Sequence, residues 1–186
     1  MGNVVLGLLL MAGPQTIYAL NKQFEGGVSL FSRGSLGSLR TALAGLRERG
    51  EVVFEESVEQ GRSKKTYRPT PRGIEAFCGW INSPIVGSDV ETQALARCFF
   101  LGLVKDAAAR RAILDRIVTR VEEDAAALVQ LAELLDGLDI PAEHRRLFTY
   151  QRATLDYGPG SRRYGADFFA ALRDAETPAS AADPQE

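Results

Sequence analysis

The chain has 186 residues, 45% of them hydrophobic and 25% charged, with a formal net charge of -2. That balance describes a soluble protein of one ordinary domain or two small ones, and it excludes a chain that is basic throughout. The charge is unevenly shared: residues 1–80 hold ten basic and seven acidic side chains, residues 81–186 twelve and seventeen. A mildly basic front half and an acidic rear half suit a nucleic-acid reader carrying a partner domain. Cys78 and Cys98 lack Cys-x-x-Cys spacing and His144 is the one histidine, so neither a zinc set nor a disulfide framework is expected. Both thiols read as buried small apolar residues in a reducing compartment. The apolar run at residues 4–11 has no basic segment before it and is too short to span a bilayer, which makes it core, in a cytoplasmic protein.

In chain order, the first helix carries Val4, Val5, Leu8, Leu9 and Leu10 and ends at Gly13-Pro14. Thr16 is placed to cap a short second helix through Ile17, Leu20 and Phe24, which Gly26-Gly27 closes. A third helix is predicted to begin near Gly37-Ser38, with Leu39, Leu43 and Leu46 on one face and Gly50 as its stop. Arg47, Glu48 and Arg49 are mostly outward. The periodicity then changes. Val52-Val53-Phe54 opens one extended run, Lys64-Lys65-Thr66-Tyr67-Arg68 makes a second, and Gln60-Gly61-Arg62-Ser63 has the chemistry of a hairpin tip. Thr70-Pro71 restarts a helix as cap and first position, with Ile74, Phe77 and Ile81 along it and Ser83-Pro84 at its end. Three helices, a two-stranded ribbon and a helix form the order of a winged helix-turn-helix. The ribbon gathers Arg62, Lys64 and Lys65 near its tip, where like charges repel one another until a counter-charge arrives; phosphate is the natural one.

The rear half reads as helices. Residues 91–104 form a short apolar one, and residues 106–138 a long one with Ile113, Ile117, Val121, Leu128, Leu131 and Leu135 at helical spacing. Asp106 caps the long helix, Gly137 and Pro141 stop it, and Ala125-Ala126-Ala127 permits close approach of another helix. Two further helices are predicted over residues 141–157 and 162–175, followed by a disordered polar tail at residues 176–186. A long helix with a broad apolar stripe and few partners in its own chain points to a second copy. The expected fold class is therefore mainly α: a winged helix-turn-helix domain over residues 1–84 and an α-helical dimerisation domain over residues 89–175. The alternative is a rear half that folds back on the front half and stays monomeric.

Several spaced residues share one pattern: Gly13-Pro14 after an apolar helix, then Tyr18; Gly37-Ser38-Leu39, Ala42-Leu43, Leu46 and Gly50 before Val52-Val53. It continues with Gly61-Arg62, Lys64-Lys65, Tyr67, Thr70 and Gly73, and closes with Trp80-Ile81 and Pro84. Together they resemble the PadR family of bacterial transcriptional regulators, over nearly the whole chain and most specifically over residues 5–84. Two positions depart from the family: Arg40 stands where it has Tyr, and Pro69 where it has Leu. The resemblance implies a DNA-binding repressor released when a small aromatic, drug-like or phenolic ligand binds near the dimer interface. Such a ligand would change the spacing of the two recognition helices.

On that scaffold the third helix enters the major groove, with Ser38, Arg40 and Thr41 outward and Ala44 and Arg47 behind them. Arg40 can bond guanine O6 and N7 together; it reads equally as a phosphate clamp or a plain surface arginine. Ser38 is a candidate cap. Arg62, Lys64 and Lys65 are expected to hold backbone phosphates without reading sequence, with a solvated charge run as the alternative. Tyr18 is core or interface, while Tyr67 and Trp80 are expected in the core. Phe99, Phe100, Phe148, Tyr150, Phe168 and Phe169 are candidates to line a pocket for a small aromatic effector, or are ordinary helix packing. An enzyme is not expected, because no nucleophile–base pair, Gly-rich phosphate loop or metal cluster is present, and no cofactor is called for. The expected partners are double-stranded DNA and a second copy. The competing reading is a winged-helix protein-interaction adaptor that does not bind DNA.

Overall fold

The computed structural model describes residues 1–59 and 62–176, with Glu59 and Arg62 represented by their backbone alone. The expected hairpin tip at Gln60-Gly61 and the expected disorder beyond Glu176 lie outside the described residues. The chain divides into two compact units, one of Met1–Pro84 with Thr92–Val104, the other of Ile85–Glu91 with the chain from Lys105 onward.

The first unit contains α1 (Gly2–Ala12), β1 (Gln15–Thr16), α2 (Ile17–Gly26), α3 (Leu36–Glu48), β2 (Val52–Glu59), β3 (Arg62–Pro69), α4 (Pro71–Asn82) and most of α5 (Val90–Phe99). Its local boundaries follow capping chemistry. Gly13 ends α1 at φ 78°, a conformation that favours glycine, and Thr16 Oγ1 accepts from Ala19 N at 3.3 Å to start α2. Thr70 Oγ1 accepts from Gly73 N at 3.1 Å, with Pro71 in the first helical position of α4. The strands form an antiparallel sheet in the order β1-β3-β2, with Phe54 opposite Tyr67 and Glu56 opposite Lys65. Under it lie Val5, Leu6, Leu8, Leu20, Leu39 and Leu46, all 0% exposed. Burial of each contributes roughly 1.5–3 kcal/mol.

Close approach of a neighbour fixes two glycines. A Cβ on Gly73 would stand 2.0 Å from the Glu51 carbonyl oxygen, and one on Gly7 would stand 2.7 Å from the Phe100 ring. The buried face of α4 consequently runs through Gly73, Phe77 and Ile81, and Ile74, expected inside, is 44% exposed. Cys78, next to Phe77 on the turned-away side, is exposed rather than buried. Cys98 is half-buried, and burial pushes its thiol pKa up.

The rear boundary also differs from expectation. Residues 92–104 pack with the first unit because Phe100, 1% exposed, meets Phe77 at 6.0 Å and Trp80 at 6.5 Å. Arg97 secures the same helix: its guanidinium bonds Ser83 Oγ at 3.2 Å and lies 5.0 Å from the Trp80 ring centre.

The second unit is built on α6 (Ala107–Asp136) and α7 (Arg145–Ala175). Asp106 caps α6 by accepting from Ala108 N and Ala109 N at 3.4 and 2.9 Å. Ile113, Leu114, Ile117, Val118 and Val121 are buried along α6, as are Ala166 and Phe169 on α7. The two helices expected over residues 141–157 and 162–175 are one, running through Pro159. Proline there forfeits one backbone hydrogen bond, yet Gly158 lets Leu128 of α6 come so close that a Cβ would stand 2.8 Å from its Cδ1. Packing along α6 outweighs the local break. Ion pairs tie the two helices at intervals: Arg152 to Asp136 at 2.8 Å, Arg162 to Asp124 at 2.6 Å, Arg110 to Glu176 at 2.7 Å.

Candidate nucleic-acid interface

The exposed side of the first unit is shaped by three elements meeting at one groove. Helix α3 buries Leu39, Leu43 and Leu46, and that 3.6-residue period turns Arg40, Thr41, Ala44 and Arg47 to solvent. Its start is fixed by Ser35, not by Ser38 as expected. Ser35 Oγ accepts from Ser38 N at 3.2 Å, and Ser38 Oγ accepts from Ser35 N at 2.8 Å, a reciprocal box that uses both hydroxyls. Thr41 Oγ1 donates back to Gly37 O at 3.2 Å. Ser38 and Thr41 are thus satisfied locally, whereas Arg40 forms no ion pair among the described residues.

A hollow of about 550 Å³ lies between α3, the first turn of α2 and the wing, lined by Thr16, Ile17, Tyr18, Arg40, Ser63, Lys64, Lys65 and Tyr67. A second of about 160 Å³ adjoins it, lined by Ile17, Arg40, Leu43, Ala44, Arg47 and Tyr67. Arg40, Ile17 and Tyr67 are common to both, so the two hollows continue one another. The structure therefore brings together Tyr18, Arg40, Ala44, Arg47, Lys64 and Lys65 out of the residues singled out by sequence. Tyr18 is 69% exposed, which places it on the groove and not in the core. The side chain of Arg62 lies outside the described residues, although its backbone heads β3 opposite Glu59.

Arg40, Arg47, Lys64 and Lys65 bring four cations to one concave surface. Arg49 is held by Glu51 through two bonds of 3.0 and 2.9 Å, and Arg68 pairs with Glu55 at 3.3 Å. Those acids are engaged with arginines that do not line the groove. Lys65 and Arg47 instead lie over the Phe54 ring, at 4.7 and 5.8 Å from its centre. The first turn of α2 opens on the same groove and adds the positive end of its dipole. Such a surface is chemically suited to a polyanion, with Tyr18 and Tyr67 as hydrogen-bonding partners. Among the described residues no cluster of His, Cys, Asp and Glu could hold a metal ion, and no helix is long and apolar enough to cross a membrane.

Sequence reasoning missed Thr16, Ile17, Ser63 and Tyr67 as groove residues. The strand pairing of Gln15 with Tyr67 and Thr16 with Thr66 draws the start of α2 against the wing. A two-residue strand leaves almost no periodic signal, so that contact was hidden.

The Phe99 and Phe100 rings, considered for an effector pocket, are engaged within the first unit. Phe99 meets Phe31 at 5.6 Å, and Phe100 meets Phe77. Phe168 and Phe169 stack edge-on at 5.3 Å in the second unit, where Phe169 is buried and Phe168 is 42% exposed.

Helix order, capping and wing define the first unit as a winged helix-turn-helix with a basic concave face. The sequence matches no protein-family profile and no curated protein. Solved structures that match over nearly the full chain include PadR and PadR-like transcriptional regulators. One is Bacillus subtilis PadR in complex with operator DNA, at 16% identity over 95% of this chain and 98% of that one, with a TM-score of 0.43. The same protein in complex with p-coumaric acid matches at 15% identity over 94% of each chain, TM-score 0.39. The PadR-like regulator BC1756 from Bacillus cereus matches at 24% identity over 95% of each chain, TM-score 0.39.

Proposed function

We propose that this chain is a PadR-type transcriptional regulator, not an enzyme, that binds double-stranded DNA as a homodimer and represses from a palindromic operator. The observation that carries the reading is the groove in which Arg40 and Arg47 of α3, Lys64 and Lys65 of the wing and Tyr18 of α2 converge. Arg40 is the base-reading side chain, beside Ala44, whose small apolar surface suits a thymine methyl. Lys64, Lys65, Arg47, Tyr18 and, at the wing tip, Arg62 hold backbone phosphates. Ser38 and Thr41, whose hydroxyls are satisfied within α3, contribute shape and the helix end.

Dimerisation is supported by the second unit. On α7, Leu147, Tyr150, Tyr157, Tyr164 and Phe168 recur at heptad-type spacing, with exposures of 60, 72, 77, 74 and 42%. Leu131, Leu134 and Leu138 extend an apolar surface along and beyond α6. An isolated surface of that kind is costly in water, and a second copy covers it. Within this reading, a small aromatic effector meets the second unit near Phe168, with Phe148 as a further candidate contact, and the protein acts in the cytoplasm.

Footprinting on the DNA immediately upstream of the chain's own gene tests the proposal. Two protected half-sites are expected, one helical turn or about 34–36 Å apart. A salt-sensitive complex with no symmetric footprint contradicts the dimeric operator. Absence of any complex favours the adaptor.

A further inference from the structure

The wing and the recognition helix share one aromatic ring. Phe54 of β2 stands directly across from Tyr67 of β3, and their rings are 5.6 Å apart. Lys65 is two residues from Tyr67, hence on the same face of the hairpin and diagonal to Phe54. Its Nζ reaches 4.7 Å from the Phe54 ring centre, and the guanidinium of Arg47, near the end of α3, reaches 5.8 Å from the same centre. Lys65 faces the larger hollow, Arg47 the smaller, and Tyr67 lines both.

A lysine on a hairpin and an arginine late in a helix each lose rotamer freedom when they grip a ligand. A ring that both cations already approach removes part of that loss beforehand. It also keeps two positive charges at one ring, an arrangement that favours an incoming anion. Lys64, one residue away, belongs to the opposite face of the strand and has no place over this ring.

We propose that Phe54 is a positioning residue for nucleic-acid binding, whose ring presets Lys65 of the wing and Arg47 of α3 as one backbone clamp. The ligand in this proposal rests on the DNA-binding reading above; the preset geometry does not. The two cations are then coupled through Phe54, while Lys64 acts independently. Leucine at position 54 keeps apolar bulk and removes the π-face, whereas tryptophan keeps and enlarges it.

Two measurements on the full-length protein test this. Without DNA, the ε-methylene protons of Lys65 should resonate upfield from ring current in the wild type and in Phe54→Trp, and return to ordinary values in Phe54→Leu. With a short random-sequence duplex in dilute salt, Phe54→Leu should bind about two- to fivefold more weakly and Phe54→Trp like the wild type. Adding Phe54→Leu to Lys65→Ala and Arg47→Ala combined should cost nothing further, whereas adding it to Lys64→Ala should cost the full factor. An unshifted Lys65 signal, or independent losses for positions 54 and 65 in protein that binds DNA, overturns the role of Phe54 alone. A wild type that ignores every duplex yet keeps the displaced Lys65 signal overturns the DNA-binding reading instead.

Discussion

Each unit encloses a core, but the long helices of the second carry more of their large apolar and aromatic side chains outward. In the first, Leu6, Leu8, Leu20, Leu39 and Leu46 are wholly enclosed, and the surface around α3 is charged. In the second, Leu134, Tyr150, Tyr157 and Tyr164 on α6 and α7 are 71, 72, 77 and 74% exposed. A closed core needs no second copy to complete it, and the basic face beside it suits a polyanion. A pair of long helices with apolar residues outward is unfinished until another surface covers them.

The largest expected effect separates those two roles. Tyr157→Glu combined with Leu134→Glu puts charge on the exposed stripe and should leave monomers. Losing the second recognition helix should lower operator affinity by about 100-fold or more. Sedimentation and anisotropy read the two losses, and the first unit should melt unchanged. If the doubly charged variant remains a dimer, the stripe is not the interface.

Next in size is Gly73→Ala, aimed at the closed core. Its Cβ would sit 2.0 Å from Glu51 O, so α4 must move, at a cost of about 1–3 kcal/mol. Thermal unfolding should show the loss in the first unit, with the helices of the second unaffected. Retention of full stability would show that α4 does not dock where it is placed here.

Arg40→Ala should cost about 1–3 kcal/mol on the operator and relax preference at the guanine it reads. Equal weakening on operator and random duplex would reduce Arg40 to a phosphate clamp.

Acid gives the smallest and most selective effect. Bonds from Arg152 to Asp136 and from Arg110 to Glu176, which tie α6 to α7 and its end, hold these carboxyls below the ordinary carboxylate range. A carboxyl depressed in the folded state adds stability that is complete above its unfolded pKa and is lost as pH falls through the folded one. The α6–α7 pairing should therefore loosen as pH falls below the ordinary carboxylate range, before the first unit changes. The pairs are exposed and the change is modest. Circular dichroism against pH, showing the first unit melting earlier, would reverse the assignment.

What was legible in the sequence was local chemistry. Thr16, Thr70-Pro71 and Asp106 mark helix starts, Gly13 and Gly50 mark ends, and each effect lies within a few residues. The spacing of Leu39, Leu43 and Leu46 likewise told which side of α3 faces out. What escaped depends on distant partners. Nothing near Phe100 announces that Gly7 leaves room for its ring, so local periodicity groups α5 with the rear half. Helix α7 runs through Pro159 because Gly158 admits Leu128 from another helix, a compensation no local window contains. For the groove, Arg40, Arg47 and the wing lysines were visible as outward cations. Phe54 was not, since its role appears once Arg47 and Lys65 are seen to reach one ring.

The most direct test of the central claim is duplex affinity against salt concentration, for the wild type and for Arg47→Ala, Lys64→Ala and Lys65→Ala combined. Tight binding is expected in dilute salt, with a steep linear fall of log affinity with log salt and a slope shallower by about three in the triple variant. Identical slopes for the two proteins, or a wild type indifferent to duplex DNA in dilute salt, would contradict that claim.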